Sequence, residues 1–270
     1  MTERRPEPLF NAMRDVYDNV RFVLGPAERL VVNAKIAPGQ QVLDVACGTG
    51  WATMAAALAA GNTGKVTGID IADKLLDVAK EKAMFARLSN VEYRVGDAEA
   101  LEFDDGSFDA VICASSIFLL NDIPKALHEW HRVLKTEGII AFTSFGPRFL
   151  QPVLKPLGEC LSRYDGQPPP VPFFLNRTDT LDKCRELLKS AGFEDIHITT
   201  EQLGIYLPDL TAYWQEISLT FVSWRLGLLS PADLERFKAE HLSEMESLRT
   251  DQGILIELPT LFSVARKRSQ

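Results

Sequence analysis

The sequence predicts an α/β protein whose parallel β-sheet carries helices on both faces. Between residues 41 and 145, apolar segments of strand length alternate with amphipathic segments of helical length, which is the pattern of repeated strand–helix–strand units. The segment 46–50 is rich in small residues and separates an apolar strand pattern from a strong helix-forming pattern. No apolar run reaches the roughly 18 residues that a membrane-spanning helix needs. We therefore expect a doubly wound sheet with right-handed crossovers and no membrane partner.

The composition is that of a globular protein with one large domain or a domain and a cap. The chain has 270 residues, of which 46% are hydrophobic and 24% are charged. Its net charge of −8, with basic residues scattered except at 266–268, disfavours a nucleic-acid partner. The first ten residues lack the apolar core of a secretory signal. We expect a cytoplasmic location and neither disulfides nor a cysteine zinc site, because four cysteines lie far apart: Cys47, Cys113, Cys160 and Cys184.

Two helices are predicted before the first strand. Apolar residues recur at helical spacing over residues 9–24, and a second helix covers 27–36 after the break at Gly25-Pro26. Tyr17 lies in the middle of the first helix. It is either a packing aromatic residue or a residue of the functional site.

The first strand and its following turn form the segment 42–50. Branched apolar residues surround a single charge, Asp44, as expected of a strand that is covered on both faces. The small residues of the turn let the backbone bend tightly and let a ligand approach closely; they are Ala46, Gly48 and Gly50. The helix-forming segment 51–60 follows. Strand, glycine-rich turn and helix in this order are typical of a nucleotide-like ligand site.

The alternation continues through four more strands. The second strand ends near Asp70, about 20 residues after Gly50, where a carboxylate can accept hydrogen bonds from ribose hydroxyls. The third strand ends at Gly96-Asp97. The predicted strands are 65–71, 91–95, 108–116 and 138–145, and the predicted helices between them are 73–88 and 123–135.

Beyond residue 146 the pattern is interrupted by two inserted segments that we expect to cap the carboxyl ends of the strands. The predicted parts are N-terminal helices (1–36), core (37–146), a first insertion (147–176), core with a helix and a strand (177–207), a helical insertion of two helices (208–250), and a last strand with tail (251–270). Eight aromatic residues mark the cap: Phe145, Phe149, Phe173, Phe174, Tyr213, Trp214, Phe221 and Trp224. They form either a pocket for a small or medium apolar, ring-containing molecule, or the core of the cap or a homodimer contact.

The glycine-rich turn does not match a dinucleotide or ATP site. The third glycine of a dinucleotide fingerprint is replaced by Thr53, and no Walker lysine follows the loop. The segment 44–50, Asp-Val-Ala-Cys-Gly-Thr-Gly, instead resembles the first motif of class I S-adenosylmethionine-dependent methyltransferases.

Further segments resemble the later motifs of that family in the same order. The match extends over about residues 38–146 and is similar to the subgroup that includes the ubiquinone and menaquinone C-methyltransferases. Two positions differ: Ala46 stands where family members often have glycine, and Thr136-Glu137-Gly138 stands where a Pro-Gly-Gly-like turn follows the helix. The matching segments are 42–50, 68–71, 96–103 and 108–142, the last containing Arg132-Val133-Leu134-Lys135.

The resemblance implies a Rossmann-like, doubly wound, mostly parallel seven-stranded sheet with its last strand antiparallel and a helical cap. It also implies S-adenosyl-L-methionine as the cofactor and S-adenosyl-L-homocysteine as the product. The cofactor-binding residues so implied are Tyr17, Asp44, Ala46, Gly48, Asp70, Ile71, Asp97, Ala98 and Ser115.

Each of these residues has an implied role. Around Gly48 the backbone would support the methionine portion, and Asp44 would hold its ammonium group through water. Asp70 would bind the ribose diol and Ile71 would pack on the adenine, which Asp97 and the Ala98 N–H would recognise. Ser115, with Ser116 close by, would lie near the reactive end. The structural alternatives are a carboxylate capping its own turn for Asp44, a solvated acid for Asp70, a plain turn for Asp97-Ala98 and a polar loop start for Ser115.

Methyl transfer from a sulfonium depends mainly on positioning, because the cofactor is already activated. We predict catalysis by proximity with no identified catalytic residue and no metal. A structural or solvated role is expected for all four histidines, His128, His131, His197 and His241. Two alternatives remain: a non-methylating member of the fold, such as a cyclase-like enzyme or a binding protein that retains the cofactor, and an RNA or protein methyltransferase, which the acidic charge disfavours.

Overall fold

The structure is a computed structural model that describes residues 7–20, 24–168, 175–220 and 222–268. Phe173, Phe174 and Phe221, which we expected in the cap, lie outside the described residues, as does the side chain of Trp224.

The described residues form nine strands and ten helices. The strands are β1 (Gln41–Val45), β2 (Lys65–Asp70), β3 (Val91–Val95), β4 (Phe108–Cys113), β5 (Leu134–Phe145), β6 (Glu194–Gln202), β7 (Ile205–Leu207), β8 (Ile254–Ile256) and β9 (Pro259–Arg266). The helices are α1 (Glu7–Ala12), α2 (Leu24–Ala34), α3 (Trp51–Ala60), α4 (Asp73–Phe85), α5 (Ile123–Val133), α6 (Leu154–Asp165), α7 (Leu181–Ser190), α8 (Leu210–Ile217), α9 (Ser223–Leu226) and α10 (Pro231–Glu246).

Seven strands form one sheet in the order β3-β2-β1-β4-β5-β9-β6. Strands β1 to β5 pair in parallel, and β9 runs antiparallel to both of its neighbours, β5 and β6. The predicted seven-stranded, mostly parallel sheet with an antiparallel last strand is therefore confirmed. The strand order reverses beside β1, whose neighbours are β2 and β4, so a crevice is expected at the carboxyl ends of these three strands.

Both faces of the sheet are buried, which explains the apolar runs in its strands. Successive residues of β1 point to opposite faces: Val42 packs in one core cluster with Leu30 of α2 and Ala56 of α3. Leu43 belongs to the other cluster, which contains Trp130 of α5. All five of these side chains are fully buried.

The N-terminal region differs from the predicted pair of helices. Instead of one helix over 9–24, the chain forms the short helix α1 and a single 3-10 turn at Tyr17–Asn19. Asp18 bonds to side chains of the sheet domain, and this tertiary contact replaces the helical path that the apolar spacing suggested. The second helix begins earlier than expected, at Leu24, because Pro26 is tolerated in a first helical turn.

The strand predicted over residues 194–207 and the last predicted strand are each divided in two. Residues 205–207 and 254–256 leave the large sheet and pair with each other as β7 and β8. The Gln202 side chain accepts hydrogen bonds from the N–H groups of Gly204 and Leu258 and so fixes both breaks. Glu257 pairs its backbone with Leu150 and Gln151 instead of continuing a strand.

The inserted segments pack together on the sheet domain. Residues 208–250 contain three helices, α8, α9 and α10, instead of the two that we expected. The buried ion pair between Arg225 of α9 and Asp165 of α6 joins the two insertions, with Nε 2.6 Å from Oδ2. Among the described residues, no helix is both long and apolar enough to cross a membrane.

Candidate functional site

Two cavities lie at the carboxyl ends of the central strands. The larger encloses about 740 Å³, including solvent at its mouth, and the smaller about 360 Å³. Tyr17 and Ala46 line both cavities, so the two adjoin. Of the remaining residues predicted to bind the cofactor, the larger cavity contains Gly48, Asp70, Ile71, Asp97 and Ala98, and the smaller contains Asp44 and Ser115.

The turn after β1 requires left-handed backbone at several positions. Gly50 precedes α3 with φ +83°, and a Cβ atom there would collide with the Tyr93 hydroxyl. Ala46 has φ +52°, a conformation that costs an L-residue about 1–2 kcal/mol. Compared with the glycine that is common at this position in the family that the sequence resembles, Ala46 adds one methyl group. The structure shows that the larger consequence is backbone strain, which a glycine at this position would not have.

Asp70, at the end of β2, joins two loops. Its Oδ2 accepts a hydrogen bond from the Gly48 N–H at 2.8 Å, and its Oδ1 accepts one from the Ala72 N–H at 2.8 Å. Burial raises the pKa of this carboxyl, and the backbone hydrogen bonds oppose that shift. A carboxylate has about four lone-pair sites, so both oxygens can still accept from a diol in the larger cavity. Asp70 is buried rather than merely solvated.

Asp44, inside β1, has one bonded oxygen and one unpartnered oxygen. Its Oδ2 accepts a hydrogen bond from the Thr53 hydroxyl at 2.5 Å, whereas Oδ1 is buried with no hydrogen-bond partner among the described residues. Burial raises the pKa of Asp44 to about 7, and the charge of Asp70 adds to the shift. A buried, unpaired carboxylate oxygen is costly, and a cationic ligand group in the smaller cavity would relieve that cost.

Thr53 was noted in the sequence only because it replaces the third glycine of a dinucleotide fingerprint. In the structure its hydroxyl donates a hydrogen bond to Oδ2 of Asp44 and leaves Oδ1 available to a ligand. The side chain is fully buried. A hydroxyl residue one helical turn into α3 could have been considered from the sequence as a partner for the charge on β1.

Tyr17 covers the glycine-rich turn from the N-terminal side. A Cβ atom built on Gly48 would lie 3.5 Å from the Tyr17 hydroxyl oxygen, so a side chain there would be in close contact with the ring. Phe10 packs edge-on against Tyr17, with ring centroids 6.2 Å apart. Burial raises the pKa of the Tyr17 phenol, and the nearby Asp70 and Asp18 raise it further. The phenol is therefore a neutral hydrogen-bonding group at pH 7.

Asp18 fixes the turn that carries Tyr17. Its Oδ1 accepts hydrogen bonds from the Thr49 hydroxyl at 2.5 Å and the Trp51 indole N–H at 2.9 Å. Its Oδ2 pairs with Lys82 Nζ at 2.9 Å. Burial acts to raise the pKa of Asp18, but the hydrogen bonds outweigh it and hold the pKa below its ordinary value. The sequence did not indicate a role for Asp18, because its partners are separated from it by 31 to 64 positions.

The turn after β3 places Asp97 and Ala98 in the larger cavity. Asp97 Oδ1 accepts from the Glu99 N–H at 2.8 Å, so part of the carboxylate stabilises its own turn. The Ala98 carbonyl accepts from the Trp130 indole at 2.8 Å. Glu99, also missed in the sequence, accepts from the N–H groups of Asn121 and Asp122. It thereby joins the loops that follow β3 and β4 at the larger cavity.

Ser115 and Ser116 occupy different cavities. Ser115 has φ +53° and its N–H donates to the Thr143 hydroxyl at 2.7 Å, which holds the residue beside the smaller cavity. Ser116 lines the larger cavity, and its hydroxyl donates a hydrogen bond to the Ala114 carbonyl at 3.0 Å. The two serines therefore lie where the cavities approach each other.

None of the four histidines lines either cavity. His128 bonds to the Pro124 carbonyl, His131 packs edge-on against Phe193, and His197 is exposed on β6. His241 is fully buried in the cap, where its Nε2 lies 2.7 Å from the Tyr213 hydroxyl.

The described aromatic residues of the cap are largely core residues. Phe145 and Phe149 stack with ring centroids 4.3 Å apart, and Phe118 packs against Phe145. Tyr213 is fully buried, and Trp214 packs against Phe237. Phe145 ends β5, so the group of Phe118, Phe145 and Phe149 lies at the carboxyl-end edge of the sheet, as the two cavities do.

The sheet order and the acidic residues at successive strand ends define a Rossmann-like fold of the class I S-adenosylmethionine-dependent methyltransferase type. Residues 43–142 match a family model described as a methyltransferase domain. The match is limited to these residues, and over this part of the chain the resemblance found in the sequence is confirmed.

A demethylmenaquinone methyltransferase of Staphylococcus aureus is 42% identical to the chain over 113 residues. The alignment covers 42% of this chain and 46% of that relative, so it spans less than half of the curated protein.

Two solved structures are similar over most of the chain. The cyclase SpnF has a TM-score of 0.62 and 22% identity over 98% of this chain and 97% of its own. Phosphoethanolamine N-methyltransferase 2 of Haemonchus contortus, solved with S-adenosylhomocysteine, has a TM-score of 0.54 and 23% identity. It is matched over 92% of this chain and 52% of its own. At these identities the similarity establishes the fold.

Proposed function

We propose that the protein transfers a methyl group from S-adenosylmethionine to a small or medium acceptor that is apolar or contains a ring. The observation that carries this proposal is the unpartnered Asp44 Oδ1 beside the smaller cavity. Together with Asp70 in the adjoining cavity, it gives an acceptor for an ammonium group, which the cofactor's methionine portion carries, and an acceptor for a diol, which its ribose carries.

The residues present fit that cofactor. Gly48 leaves space beneath Tyr17 that a side chain would fill. We propose that Asp44 holds the ammonium group, Asp70 the ribose hydroxyls, and Asp97 with the Ala98 N–H the adenine edge. Ile71 would pack on the adenine ring, while Ala46, Tyr17 and Ser115 border the methionine end. These assignments agree with the roles that the sequence resemblance implies.

When bound, the cofactor supplies an activated methyl group on a sulfonium centre. The chain's contribution is to hold the acceptor in line with that group and to exclude water. Tyr17 and the N-terminal turn close one side of the site, and the loop after β4 closes another. The proposed apolar wall for the acceptor is formed by Phe10, Leu119 and Leu120, which line the larger cavity. Since no histidine lines the cavities, we propose catalysis by proximity, in which any proton that the acceptor loses passes to solvent.

Calorimetry with S-adenosylmethionine and S-adenosylhomocysteine tests the cofactor assignment first. We expect both to bind, and we expect Asp70→Ala to weaken binding more than about tenfold. Asp77→Ala is the matched control, because Asp77 is an exposed acid on the following helix, paired with Lys80. Thermal unfolding of each variant separates loss of binding from loss of folding. Absence of binding to both compounds at high concentration would contradict the proposal.

A second candidate function is a cyclase-like reaction in which the cofactor is retained without transfer. SpnF, described as a cyclase, is similar over 98% of the chain, including the cap. Transfer of a labelled methyl group to any member of a panel of phenols, quinols and apolar amines distinguishes the two. Cofactor binding without transfer across that panel favours the second candidate, whereas labelled product establishes the first.

A further inference from the structure

A cluster of three metal-binding side chains lies in the cap. It consists of Cys160 of α6 and His241 and Glu244 of α10, whose ligand atoms all lie within 4.8 Å of one another. None of the three lines the cavities of the candidate site. The sequence predicted no metal site because Cys160 is far from the other two along the chain. The packing of α6 against α10 brings them together.

The orientation of His241 points one ring nitrogen into this cluster. Its Nε2 is 2.7 Å from the Tyr213 hydroxyl, and its Nδ1 faces Glu244 Oε2 at 3.8 Å. That Nδ1 is buried and has no hydrogen-bond partner among the described residues. If Nε2–H donates to Tyr213, the Nδ1 lone pair is directed at the cluster. This is the arrangement of a metal-binding histidine whose other nitrogen is held by a second residue.

We propose that Cys160, His241 and Glu244 bind a divalent ion of the Zn²⁺ type, with water as the fourth ligand. Thiolate, imidazole and carboxylate together are donors that Zn²⁺ accepts in tetrahedral sites. Mg²⁺ and Ca²⁺ prefer oxygen ligands alone, so a buried thiol disfavours them. Cys160 and His241 are fully buried, whereas the Glu244 side chain is 36% exposed, which provides the path for entry.

Binding requires two local changes. The Cys160 thiol releases its proton to solvent as the sulfur–metal bond forms, while His241 binds in its neutral form. Arg163 Nη2 lies 2.6 Å from Glu244 Oε1 and 2.7 Å from Glu240 Oε1. Its guanidinium is half exposed, so it can leave Glu244 and remain paired with Glu240. Arg163 therefore competes with the ion for Glu244.

The site would tie the two insertions together, since α6 belongs to the first and α10 to the second. Because none of its three residues lines the cofactor cavities, we assign the ion a structural role in the cap and no part in methyl transfer. This inference is independent of the proposed function. The competing interpretation is that His241 only joins Tyr213 to α10, in which case the cluster binds no metal.

The experiment is titration of the full-length, chelator-treated protein with Zn²⁺ in competition with a chromophoric chelator, and with Co²⁺ followed by absorption. We expect one equivalent of either ion, and for Co²⁺ the near-ultraviolet band of a thiolate ligand. Cys160→Ser removes that band. The control Cys184→Ser retains it, because Cys184 is a buried cysteine outside the cluster that hydrogen-bonds with the Ser144 hydroxyl and the Thr178 carbonyl. Tyr213→Phe weakens Zn²⁺ binding by roughly 10–100-fold, as expected for the residue that orients a ligand.

Two further variants cover the case in which Cys160→Ser does not fold. Glu244→Gln alters a partly exposed residue and is expected to weaken binding, whereas Arg163→Met is expected to strengthen it by removing the competing cation. Thermal unfolding without metal confirms that each variant is folded. Absence of stoichiometric metal binding by the wild-type protein would overturn the proposal. Metal binding that is unchanged in the folded Glu244→Gln and Tyr213→Phe variants would overturn it as well.

Discussion

Asp44 combines complete burial, one bonded oxygen and one oxygen without a partner. Its pKa of about 7 lies above that of an ordinary aspartate. The unfolded chain would therefore release this proton between about pH 4 and pH 7 while the folded chain keeps it. For the ligand-free protein, this carboxyl thus favours the folded state most strongly at low pH, and the contribution is lost as pH rises toward 7.

The same raised pKa predicts how binding depends on pH. If Asp44 holds the ligand's ammonium group, the carboxyl must ionise on binding, so affinity for S-adenosylhomocysteine falls by about tenfold per unit below pH 7. Calorimetry at pH 5.5, 6.5 and 7.5 measures this slope. In Asp44→Asn we expect a lower overall affinity and no decrease in affinity from the titration of residue 44 below pH 7. Equal slopes in the wild-type protein and Asp44→Asn would show that another group titrates.

Ala46 gives a second prediction for a single residue. Its φ of +52° is strained for alanine, so Ala46→Gly relieves the strain while it increases the freedom of the unfolded chain. The expected net effect is a free energy of unfolding that is higher by roughly 0.5–1 kcal/mol. Chemical denaturation measures it. Ala52→Gly, which lies inside α3 and has helical backbone, is the control and is expected to destabilise the protein. A loss of stability in Ala46→Gly would contradict the strain argument.

At this scale the sequence predicted which residues line the two cavities better than it predicted what those residues contact. Asp44, Asp70 and Asp97 follow apolar strand patterns, so their position at one edge of the sheet could be predicted from topology. The roles of Thr53 and Asp18 could not, because each depends on a partner on another element. Their hydrogen bonds arise only when β1, α3, α4 and the N-terminal turn are packed together.

The N-terminal segment, residues 7–20, acts as one element that covers the site. Tyr17 reaches both cavities, while Asp18 joins the segment to Thr49, Trp51 and Lys82. Lys82 also lies over the Trp51 ring, 3.7 Å from its centroid. The position of the segment therefore depends largely on these charged contacts, because α1 contains no buried residue and Val20 is the one buried residue among 7–20.

Asp18→Ala is therefore expected to release the segment without unfolding the sheet domain. Buried charge-assisted hydrogen bonds each contribute about 1.5–3 kcal/mol to stability. Because Asp18 is partly exposed, we expect its removal to weaken the attachment of the segment by a total near the lower value. If the closed segment is needed for binding, the apparent affinity for S-adenosylhomocysteine falls about tenfold. Stopped-flow measurement should place this loss in a faster dissociation rate.

The control for this prediction is Asp15→Ala. Asp15 lies on the same segment, its side chain is 83% exposed, and its partner is the neighbouring Arg14. Limited proteolysis gives an independent measurement, because a released segment is cleaved faster in Asp18→Ala than in Asp15→Ala. Equal affinities and equal cleavage rates in the two variants would show that Asp18 does not hold the segment closed.

Strands and helices of the sheet domain were predictable because local pattern and tertiary position agree there. Strands β1 and β4 and the second half of β5 are mainly apolar and bounded by turns, β3 alternates apolar and charged residues, and α5 shows apolar spacing on one face. The prediction failed where the chain changes direction within an apolar segment. At residues 203–204 and 257–258 the breaks depend on hydrogen bonds between distant parts of the chain. The Gln202 side chain accepts from the Leu258 N–H, and the Glu257 backbone pairs with residues 150 and 151. No local sequence pattern predicts these contacts.

Across the whole molecule, the cap and the sheet domain share one apolar core. The main cluster contains Val111 and Trp130 of the sheet domain together with Leu161, Tyr213 and Phe237 of the insertions. The cap is therefore not an independent unit on an exposed surface. We expect it to contribute to the cooperative stability of the chain as well as to any substrate pocket.

The ion pair of Arg225 and Asp165 is the contact through which this coupling is best tested. The side chains are 3% and 9% exposed, both guanidinium–carboxylate contacts measure 2.6 Å, and Arg225 also donates to the Pro168 carbonyl at 3.0 Å. Removal of one partner leaves a buried charge unpaired, so Arg225→Met is expected to lower the free energy of unfolding by about 3–5 kcal/mol. Chemical denaturation followed by far-ultraviolet circular dichroism and by tryptophan fluorescence gives the measurement.

Two comparisons decide whether that loss comes from the buried charge. The exposed pair of Arg236 and Asp233 gives the control Arg236→Met, for which a loss below about 1 kcal/mol is expected. The double variant Arg225→Met/Asp165→Leu removes both charges and should recover part of the stability lost in Arg225→Met. If the cap and the sheet domain unfold together, the two spectroscopic signals keep a common midpoint in every variant. Separate midpoints in Arg225→Met would show that the cap unfolds first, because the shared core alone does not hold it on the sheet.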